Sequence, residues 1–123
     1  KISRHGGSKF DAKKGTYTLF ADQRNGKVKR IWTQVIPIRV RAMVGSKDSL
    51  FVAGPPHLID PDDPWAADEV RKGGRLRIVA NKEGKTLADY QLDSPPVWDG
   101  MAAANRRLYL ALTDGTILCM SKE

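Results

Sequence analysis

Three carboxylates in one proline-rich stretch are the first candidates for chemistry. Asp60, Asp62 and Asp63 lie close together in the sequence, and a hard cation such as Ca²⁺ prefers oxygen ligands of this kind. The full spacing of a calcium-loop motif is absent, so a solvated acidic loop is the simpler interpretation. We predict no metal site, and name these three residues as the candidate ligands if a cation does bind.

The stretch that contains them, residues 54–73, reads as a long surface loop. Four prolines and five acidic residues fall between residues 55 and 69, and such a composition disfavours regular strands. Loops carry binding function more often than the strands that they connect. We therefore expect Trp65 to lie on the rim of this loop and to contribute to an interaction surface.

Lysine and arginine are concentrated in the first third of the chain. Residues 1–41 hold 11 Lys or Arg and two Asp, whereas residues 42–123 hold 10 Lys or Arg and 12 Asp or Glu. The formal net charge of +7 for the whole chain therefore has a local origin. A local excess of positive charge of this kind is evidence about one surface or segment, and it says little about the fold.

Basic residues flank a valine at two places in this region, and alternate residues of a strand share one face. A polyanion such as a nucleic acid is one candidate partner, and its binding would weaken with salt. A solvent-facing strand, or contact with an acidic neighbouring segment, is the alternative, and we expect protein partners rather than nucleic acid. The predicted interaction surface consists of Lys27, Lys29, Arg30, Arg39 and Arg41.

No catalytic constellation stands out elsewhere. The two histidines, His5 and His57, are far apart in sequence, and no nucleophile elbow, phosphate loop or His-Glu-x-x-His motif occurs. The lone Cys119 excludes a disulfide within the chain and a cysteine-based zinc site, and we expect it to be a small buried hydrophobe. We assign no catalytic or cofactor-binding residue, and the sequence favours a non-enzymatic role.

The composition is that of one ordinary globular domain. The chain has 123 residues, of which 41% are hydrophobic and 28% charged, which argues against disorder, a collagen-like chain or a disulfide scaffold. No apolar run approaches the roughly 20 residues of a membrane helix, and no signal peptide is visible. We expect no transmembrane segment.

The elements that must position these residues belong to an internal repeat. Glycines 15, 74 and 115 each precede an apolar, β-prone run, and the first two runs lead to hairpin turns at Gly26 and Gly84. From Gly26 onward the chain matches a later part of itself at one constant offset, which is the distance from Gly26 to Gly84. The matched pairs are Trp32 with Tyr90, Pro37 with Pro95, Met43 with Met101, Leu50 with Leu108 and Ala53 with Ala111.

The spacing from Gly74 to Gly115 matches that of a known repeat class, because about 40 residues with four short strands is typical of a β-propeller blade. We predict an all-β chain of two to two and a half four-stranded blades, incomplete on its own. The predicted strands are 16–21 and 27–34, then 39–44, 49–53, 75–80 and 86–91, then 98–103, 107–112 and 116–120.

Large side chains near strand ends and blade junctions are predicted to pack between blades. These residues are Trp32, Tyr90 and Trp98. Met43 and Met101 occupy matching positions of first strands, and we expect both in the core. Because fewer than four blades cannot close a ring, we expect the chain to be a fragment completed by the remainder of its own propeller or by a partner chain.

Two stretches carry a family resemblance. Residues 108–119, LYLALTDGTILC, resemble the core of PQQ-like β-propeller repeats, and Ala21 to Lys27 followed by Trp32 resembles the tryptophan-docking motif of that family. The resemblance spans residues 15–121 as blades, with the insertion at 54–73, and leaves residues 1–14 as an unassigned N-terminal segment.

The resemblance implies a structural or interaction module of a larger bacterial repeat protein, periplasmic or extracellular. An alternative is a fragment of a quinoprotein dehydrogenase, in which case PQQ and calcium would bind to the full propeller. A second alternative is polyanion or nucleic-acid binding through the basic first third. We predict no cofactor for this chain itself.

Overall fold

The computed structural model describes residues 17–57, 61–63, 65 and 72–121. The part of the chain so described is all-β, and its nine strands are antiparallel to their neighbours. The strands are β1 (Tyr17–Asn25), β2 (Lys27–Ile36), β3 (Ala42–Gly45), β4 (Ser49–Gly54), β5 (Gly74–Ala80), β6 (Thr86–Leu92), β7 (Pro96–Ala104), β8 (Arg107–Leu112) and β9 (Ile117–Ser121).

The strands form three sheets in chain order. The first sheet is β1-β2, the second is β3-β4-β5-β6, and the third is β7-β8-β9. All nine predicted strands are present, with ends that differ by a few residues. The largest difference is in β1, which ends at Asn25 instead of residue 21, because its ladder with β2 continues past the bulge at Ala21/Asp22. β3 begins at Ala42 instead of residue 39, and Ile38 makes an isolated bridge to Pro56 ahead of it.

The predicted repeat is confirmed by the pairing register. Met43 pairs with Val52 in the second sheet, and their counterparts Met101 and Leu110 pair in the third. The next ladder repeats as well, since the pair β4-β5 has the same register as β8-β9. Leu50 lies opposite Val79, and its counterpart Leu108 lies opposite Met120.

The three sheets pack face to face through two cores. Leu19, Trp32 and Ile36 of the first sheet pack with Val52 and Val79 of the second. The opposite face of the second sheet meets the third sheet in another cluster, formed by Ala53, Leu76, Leu92, Leu108, Leu110 and Leu112. The second sheet is therefore covered on both faces, which explains the apolar residues on both sides of β4 and β5.

The first strands of the second and third sheets lie side by side. β3 contacts β7, and the backbone N–H of Asp99 donates to the carbonyl of Arg41 at 3.0 Å. Asp99 and Arg41 are themselves equivalent positions of the repeat. The second and third sheets thus approach each other along their first strands.

Two sequence predictions are wrong in a related way. Cys119 is exposed rather than buried, because it lies on the outer face of the third sheet, which no described sheet covers. Met43 is also exposed. It lies on the same side of β3 and β4 as the buried Val52, toward the first sheet, but that sheet contributes only two described strands and leaves β3 uncovered.

Candidate functional site

The junction between the first and second sheets is organised around Trp32. Its indole ring is buried against the Gly84 turn, and its Nε1–H donates to the carbonyl of Asn81 at 2.7 Å. Gln34 lies two residues along the same strand, and its Nε2 donates to the Gly84 carbonyl and to Thr86 Oγ1, both at 2.9 Å. Trp32 therefore packs between the first and second sheets.

Asn81 is a residue of this junction that the sequence did not single out. Its Nδ2 donates to the carbonyls of Ser46 and Lys47 at 2.8 and 3.2 Å, and its backbone N–H donates to the carbonyl of Asp48 at 3.0 Å. One side chain thus ties the β5–β6 turn to the β3–β4 turn. Asparagine is common in turns, so its residue type alone did not mark this role.

Tyr90 and Trp98, the other two predicted packing residues, are 44% and 72% exposed. Tyr90 lies opposite Leu76, on the face toward the third sheet. Trp32 meets the turn that follows β5, but the described third sheet ends with β9, so Tyr90 has no equivalent turn to meet. Trp98 lies in β7, and the guanidinium of Arg41, the residue before β3, is 5.4 Å from its ring centre.

The two predicted arginines line a small recess beside Trp98. The recess has a volume of about 160 Å³, and Tyr17 and Pro55 contribute to its wall. Arg39 is buried, and its Nε donates to His57 Nδ1 at 3.2 Å. The ring centres of Tyr17 and His57 are 4.8 Å apart in an edge-on arrangement. Because both guanidinium groups already have partners, the recess is a packed junction between sheets.

The structure does not bring the five predicted basic residues into one stripe. Lys27 and Lys29 are exposed at the tip of the β1–β2 hairpin, whereas Arg39 and Arg41 follow the other end of β2, about 30 Å away along the strand. Arg30 forms an ion pair with Asp22 and stacks over the Phe20 ring, 4.0 Å from its centre.

The acidic insertion lies largely outside the described residues, and Asp60 is among those outside. Asp62 is exposed and Asp63 is half-buried. Within the described parts of the chain, no group of three His, Cys, Asp or Glu is placed to hold a metal ion. Trp65 is exposed.

Exposed apolar side chains occur on both outer faces of the stack. Phe20, Ile31 and Val35 are exposed on the first sheet, and the inward face of that sheet holds Trp32 and Ile36. On the third sheet, Ile117 is exposed beside Cys119. Single exposed hydrophobics are ordinary, but an apolar face at each end of a stack is a candidate contact surface.

The edge of the third sheet is a further candidate site. β9 pairs with β8 on one side and with no other described strand. An unpaired strand edge presents backbone donors and acceptors to any extended chain.

The described residues contain no helix of the length and apolarity required to cross a bilayer. Comparison of the chain with protein-family models, with curated proteins and with solved structures gave no match. The candidate functional features of the chain are therefore its packed inter-sheet junctions, its two exposed outer faces and the free edge of β9.

Proposed function

We propose that the chain is a non-enzymatic structural and interaction module that supplies about two and a half blades of a larger PQQ-like β-propeller. A propeller blade is a small antiparallel sheet, and the blades of a ring stack face to face around an axis. The three stacked sheets support this proposal, as does the approach of β3 to β7. In a ring, first strands lie nearest the axis and so become neighbours.

The observation that carries the proposal is that each outer face repeats a face buried inside the stack. When the strands are aligned on glycines 15, 74 and 115, Phe20 on the first sheet corresponds to Val79 on the second. Phe20 is exposed, whereas Val79 is fully buried. By the same count, Ile117 on the third sheet corresponds to the fully buried Leu76 on the second. A repeat buries its apolar faces only against neighbouring repeats, so these outer faces match surfaces that another blade would cover.

The test is the intact and native mass of the protein purified from its source. A covalent mass well above 13.6 kDa, or a second chain that stays bound through purification, is expected. A stable lone monomer of 13.6 kDa would contradict the proposal. The three sheets would then constitute a self-sufficient sandwich whose end faces are simply solvated.

A further inference from the structure

β9 occupies in the third sheet the place that β5 occupies in the second. β5 lies between β4 and β6, whereas β9 pairs only with β8 among the described strands. Since β4-β5 and β8-β9 share one register, each residue of β9 has a counterpart in β5. The free edge of β9 therefore corresponds to the edge of β5 that binds β6.

β2 and β6 are the last strands of the first and second sheets, and both correspond to the fourth strand of the repeat. The composition of β9 differs from that of these two edge strands. β2 carries Lys27, Lys29 and Arg30, and β6 carries Asp89, and the register shifts at a bulge in both hairpins. Charges and bulges are the usual means by which an edge strand avoids pairing with another chain. β9 reads ILCMS and has no charge, no proline and a regular register.

The exposed face of β9 also matches a face that is covered in the second sheet. Ile117 is 71% exposed, and its counterpart Leu76 is fully buried with Tyr90 of β6 opposite. Leu118 and Met120 face the other way and pack on the second core. The strand is thus held in place on one face while its edge and its other face are open.

We propose that the free edge of β9 is a strand-accepting site, which binds in antiparallel orientation a fourth strand of the same repeat. The occupant is an extended segment with the residue pattern of β6, in which a small residue faces Cys119 and an aromatic residue faces Ile117. Main-chain hydrogen bonds would supply affinity, and alternate side chains would supply specificity. The inference rests on the proposed function and deepens it by naming one surface and its partner.

Cys119 makes the site testable, because it is the only cysteine of the chain and is exposed. Its counterpart Ile78 lies opposite Ala88 of β6. Directly opposed residues of antiparallel strands have Cα atoms about 4.5 to 5.5 Å apart, which lies within the range that a disulfide spans. A cysteine at the Ala88 position of a bound peptide is therefore placed to pair with Cys119.

The experiment mixes the full chain with a synthetic peptide of residues 85–93 that carries Ala88→Cys, in a buffer of oxidised and reduced glutathione. The two thiols form one disulfide and pass two electrons to oxidised glutathione, which leaves as two reduced molecules. A matched control peptide carries Asp89→Cys instead, because Asp89 faces the opposite side of the strand. Mass spectrometry quantifies both mixed disulfides.

At least about tenfold more adduct is expected with Ala88→Cys than with Asp89→Cys, because only the former faces the thiol in the predicted register. Equal adduct with both peptides would overturn the proposal and show an exposed thiol that reacts without register. An Ile117→Lys variant places a charge on an exposed position, so folding is preserved, and it should lower the adduct severalfold. Unchanged adduct in that variant would likewise count against the site.

A measurement without cysteine chemistry completes the test. Hydrogen exchange of the Cys119→Ser variant should slow at β9 amides when the unmodified 85–93 peptide is added, and no slowing would overturn the proposal. The outcome is separable from that of the proposed function. A monomeric native protein with a functional β9 edge contradicts the propeller, whereas a larger native assembly with an inert β9 edge contradicts only this site.

Discussion

At the scale of single residues, the contact between Trp32 and Gly84 shows how the repeat sets local chemistry. Gly84 has a φ of +69°, and a side chain there would meet the Trp32 ring. Gly26 is its counterpart in the first hairpin, with a φ of +73° and open space in front of it. Two glycines with the same backbone conformation therefore differ in whether an aromatic ring from another sheet covers them.

This pair allows conformational cost to be separated from packing. We expect Gly26→Ala to lower the free energy of unfolding by about 1 kcal/mol, the cost of a positive φ for a residue with a Cβ. Gly84→Ala should cost a further 1 to 3 kcal/mol, roughly, because the added methyl displaces a buried ring. Denaturant unfolding followed by circular dichroism measures both, and equal losses would contradict the Trp32 contact.

Asp114 offers a residue-scale prediction on pH. Hydrogen bonds from the Thr116 backbone N–H, at 2.9 Å, and from the Thr116 side chain lower the pKa of the Asp114 carboxyl below its ordinary value of 3.8. A lowered folded-state pKa stabilises the fold above the ordinary pKa, and this contribution is lost as the pH falls through the lowered value.

Asp114→Asn should therefore be less stable than the parent by a constant amount above about pH 5, with the difference shrinking below about pH 4. Urea midpoints of the two proteins from pH 2.5 to 7 measure this. A difference that stays constant to the lowest pH would contradict the assignment. Because the carboxyl is fully exposed, the effect is expected to be small.

At the scale of elements, strand positions were predictable and side-chain exposure was less so. Glycine turns and β-prone runs determine where a strand starts, so the hairpins at Gly26 and Gly84 follow from local chemistry. The exposure of Cys119 and Met43 depends on which neighbouring sheet is present, and no local pattern contains that information. The bonds of Asn81 to a distant turn depend on tertiary placement in the same way.

The pairing of β5 with β6 is reinforced by one carboxylate that binds two arginines. Asp89 accepts from Arg75 Nε at 3.1 Å and from Arg77 Nη2 at 2.7 Å. Arg77 lies directly opposite Asp89 and is the more buried of the two arginines. An ion pair across a strand pair stabilises more when it is partly shielded from water.

We expect Asp89→Ala to lower the free energy of unfolding by about 1 kcal/mol, with a smaller loss at high salt because screening weakens the pairs that are removed. Asp93→Ala is the matched control, an exposed acid just beyond β6, and should change stability by less than about 0.5 kcal/mol. Chemical denaturation by urea at low and high salt tests both. Equal losses of unfolding free energy in the two variants would mean that the change in net charge, not the loss of the two arginine pairs, destabilises the protein.

At the scale of the whole molecule, the described sheets differ in how many faces they bury. The second sheet buries both faces, and the first and third sheets each bury one. Among the described residues, the stack therefore has two outer faces with exposed apolar side chains, of the kind that joins its own sheets. Such a molecule is expected to associate, either with further repeats or with copies of itself.

The outer face of the first sheet gives the sharpest test of that expectation. Val35 lies opposite Thr18, is exposed, and points away from the buried Ile36 beside it. Val35→Glu should reduce self-association of the isolated chain, since a charge would have to be desolvated in any contact on this face. The free energy of unfolding should change by less than about 0.5 kcal/mol, because the residue contributes to neither core.

Leu87→Glu is the matched control, because Leu87 is equally apolar and exposed but lies at the bulge of β6, away from this face. Sedimentation velocity over a range of chain concentrations measures the association of the parent and both variants. Association that falls with Val35→Glu and persists with Leu87→Glu would locate the contact on the first sheet. An equal fall in both would mean that general surface hydrophobicity, not a repeat-matched face, drives association, and the open-ended stack would lose its main support.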